Sequence, residues 1–376
     1  MLQAIWRELH YLKTHKWDLS MLTLAPLLII IIFGSMLLEG KPEHLPITVI
    51  DQDQSQLSAK ITDYLALNHS LYIQLETNDQ SHAERKLNET QIWGYVIIPS
   101  GAQKRLVQGQ DAQIAIAYNQ SFFSIGNTIS SAMLKSTAEA TADFLAKNHF
   151  QNNIPYLDIS TPHINVSPLF NPTLNYELFL EPFLIPALLH LIICCSIAFS
   201  VGQEMKFNTV HTWLDNTSFS EAIFAKCLVH SIILFGWSLL WLFWLTIIRG
   251  WFIAGSSLLL CVGLFLLYFS YALIITAVTL ALKDLTRTFG LIAIYGGSSL
   301  SFAGITLPLN NAPLFTQFWS NLIPYTPYVK LQTEQWVVGS PIYISLPSLC
   351  LLFLFCLIGY VISFFCLKKL SKQVET

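Results

Sequence analysis

Six runs of apolar residues, at about 19–38, 178–201, 223–247, 253–281, 290–306 and 343–367, dominate the chain. Each is close to the roughly 20 residues that a helix needs to cross about 30 Å of hydrocarbon. Within lipid the backbone must satisfy its own hydrogen bonds, so such runs read as helices. They predict an α-helical membrane protein with six transmembrane helices. Composition agrees, since 53% of the 376 residues are hydrophobic and 11% are charged, against about 25% charged in soluble domains. The fourth run is long enough to tilt, and the fifth is short unless the proline-broken stretch after it extends it. Glu39-Gly40-Lys41-Pro42 follows the first run in place of a small-residue cleavage site, so that run reads as a retained span.

Lys and Arg in the short segments set the orientation. With both termini cytoplasmic, Arg7, Lys13, Lys16, Lys206, Lys226, Lys283, Arg287, Lys368, Lys369 and Lys372 fall on or near the inner side, and Arg249 and Lys330 in the short outer loops. Membrane lipid is then a partner throughout. A formal charge of −3 with no long basic block gives nucleic acid nothing to bind. The 7 cysteines lie in or beside apolar runs and form neither a disulfide framework nor a metal-ligand spacing; no metal site is expected.

Residues 1–18 carry Leu2, Ile5, Leu9 and Leu12 at helical spacing, with Arg7, Lys13 and Lys16 on other faces, as in a helix lying in the cytoplasmic interface. The first span is 19–38. Residues 39–177 then form an extracytoplasmic α/β domain inserted between spans one and two. Its strand-like runs are "ITVID" (47–51), "LYIQLE" (71–76), "IWGYVIIP" (92–99) and "AQIAIAY" (112–118), with helical stretches at 54–66, 80–89 and 100–108. A long helix over 121–147 and an extended, proline-rich connector over 152–177 complete it. Residues 178–376 hold the other five spans, an inner loop at 202–226 and an outer segment at 305–342.

No phosphate loop G-x-x-x-x-G-K-[ST] is present, so the chain is not an ATPase, and G-x-S-x-G, H-E-x-x-H and C-x-x-C are equally missing. Catalytic, cofactor and metal residues are accordingly expected to be none. Asp51 and Asp53 read as turn and helix-cap residues.

Ionisable residues inside spans, here Glu181, His190 and His230, are costly and mark candidate pathways. Glu181 falls near the start of its span, where a carboxylate also suits the helix N-terminus. His190 is near mid-span and either lines a polar path or bonds a neighbouring helix. Trp237, Trp241 and Trp244 share one helical face, as lipid anchors, packing or a substrate path. Small residues at 296–299, with Ser301, Ala303 and Gly304, allow close helix approach.

In the inner loop, Val210, Trp213 and Leu214 give an apolar edge, and Ser218 with Glu221 has capping-box spacing. The segment Ile305–Lys330 is apolar but broken by Pro308, Pro313, Pro324 and Pro327, so it reads as short helices that dip in and return, shielded by protein or a water-filled cavity. Trp319, Tyr325 and Tyr328 are expected to anchor it at the interface.

In layout and motif order the chain resembles the type-2 permeases of ATP-binding-cassette exporters, in the bacterial subgroup with a large periplasmic domain between the first two spans. That family's inner loop reads Glu-x-x-x-Gly-Thr, then a Ser/Pro turn and a Lys opening the next span. Glu204, Thr209, Ser218, Glu221 and Lys226 match it, and Asn208 stands where Gly is usual. "ITVIDQDQS" (47–55), "YVIIPSGAQKRLVQGQ" (95–110) and "LFNPTLNYELFLEP" (169–182) look like further family elements, with Phe183 in place of the family's Gly. Gly304, Pro308, Pro313, Trp319, Pro324, Tyr325, Pro327 and Tyr328 fit its re-entrant outer segment.

The resemblance implies a permease subunit of an ATP-driven exporter in the bacterial inner membrane, paired with a second permease (a homodimer or a sibling heterodimer) and with a separate ABC ATPase that binds ATP and Mg. A periplasmic adaptor is a further candidate partner. It also implies a coupling helix in the inner loop, with Glu204, Thr209, Trp213 and Glu221 meeting the ATPase from exposed positions. Glu181 and His190 are the candidates for the translocation path. Two alternatives stay open: an ion-coupled secondary transporter using Glu181 and His190, which the lack of visible internal repeats disfavours, and a non-transporting envelope scaffold.

Overall fold

A computed structural model describes residues 1–38, 43–119, 123–152, 175–215, 217–305 and 309–375. The chain divides into two compact units, residues 39–167 and the remainder. The mostly helical remainder begins with α1 (Leu2–Thr14) and α2 (Lys16–Met36), joined at His15. The buried face of α1 is Ala4–Glu8–Leu12, so a carboxylate sits where an apolar residue would be expected. Leu2 and Trp6 are exposed.

Residues 39–167 contain strands β1 (Leu45–Asp51), β2 (Leu71–Thr77), β3 (Gly94–Ile98) and β4 (Ala115–Tyr118) in the order β2-β1-β3-β4. β1 is parallel to both β2 and β3, with Val49 opposite Val96, and β4 runs antiparallel to β3. Helices α3 (Gln56–Ala66), α4 (Gln80–Asn88), α5 (Ala102–Val107) and α6 (Phe123–Asn152) complete the unit. Alternation along β1 assigns its faces. Ile47 and Val49 pack with Leu57, Ile61 and Leu65 of α3 and with Ile129 and Met133 of α6, while Ile50 packs on Ala83 of α4. The result is a small three-layer α/β fold. Asp51 accepts the backbone N–H of Asp53 and Gln54, and Asp53 accepts those of Gly101 and Gln103 at the start of α5. The connector expected at 152–177 lies mostly outside the described residues.

The helical unit continues with α7 (Tyr176–Lys206), α8 (Val210–Leu214) and α9 (Phe219–Phe243), the last running into a π-helical turn at Trp244–Ile248. Next come α10 (Ser257–Leu282), α11 (Leu285–Tyr295), α12 (Ser299–Phe302), α13 (Leu314–Asn321) and α14 (Tyr325–Gln332). A second π-helical turn at Thr333–Val338 and α15 (Ile342–Glu375) end the chain. Five of these helices are long and apolar enough to cross a membrane, namely α2, α7, α9 with its π turn, α10 and α15. The chain is therefore a multi-pass membrane protein.

The apolar run at 290–306 does not form one long helix. After Tyr295 the chain turns through Gly296–Ser298 and restarts as α12, and its largest continuous piece is too short to span about 30 Å. α7 and α10 make the bundle core, with Ile193, Ile197, Leu264 and Tyr271 buried. Gly359 lets α15 meet the backbone of α10, since an added Cβ would lie 3.0 Å from Ile274 N. Leu24, Leu28, Ile31 and Ile32 on α2, and Phe353, Leu357 and Phe365 on α15, are large apolar side chains exposed on the outside of the bundle.

Candidate functional site

Where α1, α7, α8 and α9 converge, the bundle encloses an ionic cluster. Lys226, in the second turn of α9, is only 1% exposed. Its Nζ lies 3.0 Å from Glu8 Oε2 of α1 and 3.4 Å from Glu204 Oε1 of α7, and donates to Ser200 Oγ at 2.7 Å. Two rings bracket it, Tyr11 and Trp213, each with its centroid 5.2 Å from Nζ. A buried cation flanked by aromatic faces gains from their quadrupoles. Glu8 Oε1 accepts from the Ser200 hydroxyl at 2.8 Å and from His230 Nε2 at 3.0 Å. The second ring nitrogen of His230 takes the Ser196 hydroxyl at 2.6 Å. Glu204 receives Arg7 Nη2 at 2.9 Å and the Thr209 hydroxyl at 2.6 Å.

The four charges of Glu8, Glu204, Arg7 and Lys226 cancel, as buried ions must if they are to stay ionised. Burial alone would raise the Glu8 carboxyl, but Lys226 and His230 outweigh it and hold Glu8 well below the usual carboxylate range. Burial and then the neighbouring Asp18 carboxylate push the Tyr11 hydroxyl up, so it keeps its proton and donates to Asp18 at 2.8 Å. It also meets the Gln203 side chain.

This geometry corrects one expectation. Glu204 and Trp213 do not project from the loop. They are 4% and 3% exposed and point into the cluster. Their burial follows from Lys226, whose charge needs the carboxylate and whose ammonium is sheltered by the indole. The exposed side chains on and just after α8 are His211, Thr212 and Asp215. Thr209 closes the end of α7, its N–H returning to Glu204 O at 2.9 Å. Asn208 makes the reversal possible with a φ of 55°, the left-handed region that favours Gly or Asn. Ser218 and Glu221 form a reciprocal capping box on α9, and the N-terminal amine of Met1 reaches Glu221 Oε1. The sequence reading singled out His230 as an ionisable residue within a span but missed Glu8 and Ser200; the spacing of Ala4, Glu8 and Leu12 was the available signal for Glu8.

At the other end of the bundle, Glu177 occupies the first turn of α7. Both its oxygens are held by Arg249, and Trp251 Nε1 adds a bond at 2.8 Å. Glu181 lies one turn deeper and is fully buried, so it is not the interfacial carboxylate that the sequence suggested. Its Oε1 accepts Trp241 Nε1 at 3.0 Å, and its Oε2 has no partner. Trp237 bonds Leu22 O, and Trp241 stacks on Trp336. His190 gives its Nε2 to Gly296 O at 3.2 Å and packs between Tyr271 and Tyr325. Glu181 and His190 share a helix but have different neighbours.

Within the broken segment, Pro313 precedes α13, Pro324 precedes α14, and Pro327 sits in the first turn of α14, where a missing N–H costs nothing. Gly304 has a φ of 87°, and Pro308 lies outside the described residues. Tyr325 and Tyr328 are fully buried rather than interfacial. The reason lies in α7. Pro186 has no N–H for the carbonyl of Pro182, and the Gln332 side chain supplies the missing donor, with Tyr325 bonding the next carbonyl, Phe183 O. α14 therefore completes the backbone bonding of α7. Trp319 is half-buried, bonding Ser298 Oγ at 2.9 Å, while Leu314, Phe315 and Phe318 are exposed.

Comparison with known proteins agrees with this architecture. A family model described as "ABC-2 family transporter protein" matches residues 16–365. The linearmycin resistance permease protein LnrN of Bacillus subtilis (strain 168) is 31% identical over 90 residues, which are 24% of this chain and 23% of that relative. No solved structure matches. With the family match covering all five long helices except the end of the last, the chain belongs to the ABC-2 family of transporter proteins, as a membrane permease.

Proposed function

We propose that this chain is the permease subunit of an exporter driven by a separate ABC ATPase, and that the cluster around Lys226 is the joint through which the ATPase moves the spans. The reading rests chiefly on one observation: α8 carries Trp213 against Lys226, and Lys226 is ion-paired at once to α1 through Glu8 and to α7 through Glu204. A push on α8 reaches three helices through one buried group. Both termini and 202–226 are then cytoplasmic, residues 39–177 lie outside, and α11 with α12 makes a sixth, broken crossing. ATP and Mg belong to the partner. A second permease, the same chain or a sibling, completes the path; α13 and α14 are its outer gate, Glu181 and His190 border it, and a periplasmic adaptor is a further candidate partner in the envelope.

The face of α8 left for the ATPase is His211, Thr212 and Asp215, so the charge reversals His211→Glu and Asp215→Lys test the reading. In the reconstituted complex they should weaken ATPase assembly by about tenfold without altering the thermal stability of the permease. Normal assembly and normal transport by both would remove α8 from the coupling path.

A further inference from the structure

We infer that the buried face shared by α7, α14 and the π turn after it is a recognition site for an alkylammonium group on the transported molecule. It rests on the permease reading only for calling the ligand a substrate. Buried polar atoms in folded proteins nearly always have partners. Four that lack one fall here: Glu181 Oε2, Gln332 Oε1, Tyr328 OH and Trp336 Nε1. Tyr328, Gln332 and Trp336 recur every fourth residue, along one face of a continuous helical stretch. That face is fixed against the start of α7, where Gln332 bonds Pro182 O and Trp336 stacks on Trp241, the residue that bonds Glu181.

Charge identifies the ligand. Glu177, one turn away, is neutralised by Arg249. Glu181 is fully buried, and among the described residues it has no cation within ion-pair distance. A buried carboxyl with no ion-pair partner is ionised more readily when a cation binds beside it, so an ammonium suits this position. Glu181 Oε2 and Gln332 Oε1 are orphan acceptors on neighbouring elements, Gln332 being bonded to Pro182 O next to Glu181, and suit the N–H donors of an ammonium. The indoles of Trp241 and Trp336 offer it π faces. Trp336 N–H is left for an oxygen acceptor beside the amine. α9, which carries Trp241, and α14 both continue into π-helical turns, Trp244–Ile248 and Thr333–Val338, a geometry frequent at functional sites. The site is closed here, so loading requires α14 to part from α7.

The test uses the full-length permease in lipid nanodiscs without ATPase, titrated with dansylcadaverine, a fluorescent primary alkylamine, and with its neutral N-acetyl derivative. Wild type should bind the amine saturably and the acetyl derivative at least tenfold more weakly. Glu181→Gln keeps an acceptor for Trp241 and should lose at least tenfold for the amine. Phe353→Ala, on the exposed face of α15, should bind the amine as wild type does, and an unfolding curve of Glu181→Gln that matches wild type serves as the folding control. Equal binding of amine and amide, or an unchanged affinity in Glu181→Gln, would overturn the inference and leave these atoms to bound water or a proton. Because the assay omits nucleotide, failure of ATP-driven export would leave its outcome untouched.

Discussion

Replacing Lys226 with Met removes the one cation among the described residues that touches both Glu8 and Glu204, while keeping most of the side-chain volume. Glu204 retains Arg7 and the Thr209 hydroxyl. Glu8 is left, 3% exposed, with a histidine N–H and a serine hydroxyl. Breaking a buried pair from one side costs about 3–5 kcal/mol, and the two bonds left to Glu8 place Lys226→Met near the lower end, about 3 kcal/mol. Glu8→Gln alone strands the lysine less severely, because Glu204 lies 3.4 Å away, and should cost about 2 kcal/mol. The double variant carries neither charge and should fall within about 1 kcal/mol of wild type, as replaced buried pairs often do. The cycle then gives a coupling energy larger than the few tenths expected of independent sites. Unfolding of the four proteins in mixed micelles, followed by tryptophan fluorescence, measures it. The Glu8 carboxyl is depressed by folding, so its stabilisation is complete above the unfolded value of about 4.3 and fades only as pH falls through the lower folded value. Acidifying from pH 7 to 5 should therefore not loosen the pair. Additive single-variant costs, or a silent Lys226→Met, would refute the cluster as an ionic joint.

Asn208→Gly should be neutral, whereas Asn208→Ile, forced to a φ of 55°, should cost about 1–2 kcal/mol and reduce the yield of folded permease. In the α/β unit, burial pulls the Asp53 carboxyl up, but the Ser55 hydroxyl and the N–H groups of Gln103, Gly101 and Ala102 more than reverse this and hold it low. The stability it adds is present above its unfolded value of about 3.9 and is lost as pH falls through the lower folded value. Hydrogen exchange at α5 should therefore quicken on strong acidification of wild type and be fast already at pH 7 in Asp53→Asn. Cysteines at exposed Leu314 and Phe318, crosslinked to the second permease, should stop export while leaving ATPase assembly intact; full transport with the crosslink formed would reduce α13 to a connector.

Span positions and the α/β alternation were legible because hydrophobic periodicity is local: the runs at 47–51, 71–76 and 92–99 coincide with β1, β2 and β3. The left-handed turn at Asn208 falls where the resembled family has Gly, a position that Asn tolerates. The cluster was not legible. Reading α1 by its leucines favours Leu2, Ile5, Leu9 and Leu12, whereas its docked face is Ala4–Glu8–Leu12, and a carboxylate is buried there because Lys226, far along the chain, compensates it. Glu204 and Trp213 were expected outside because a charge and an indole in a short loop look available until their internal partners are known. The burial of Tyr325 likewise depends on a carbonyl of α7. The break at Gly296–Ser298 escaped detection because hydropathy continues across it.

The most direct measurement of the coupling claim is site-specific photocrosslinking from α8. A benzoylphenylalanine at His211 or at Asp215 should capture the ABC ATPase in membranes, with a yield that changes on ATP binding, while the same group at Ser55 or Leu314 should capture none. Capture from Ser55 or Leu314, or none from either α8 position in a complex that still transports, would contradict it.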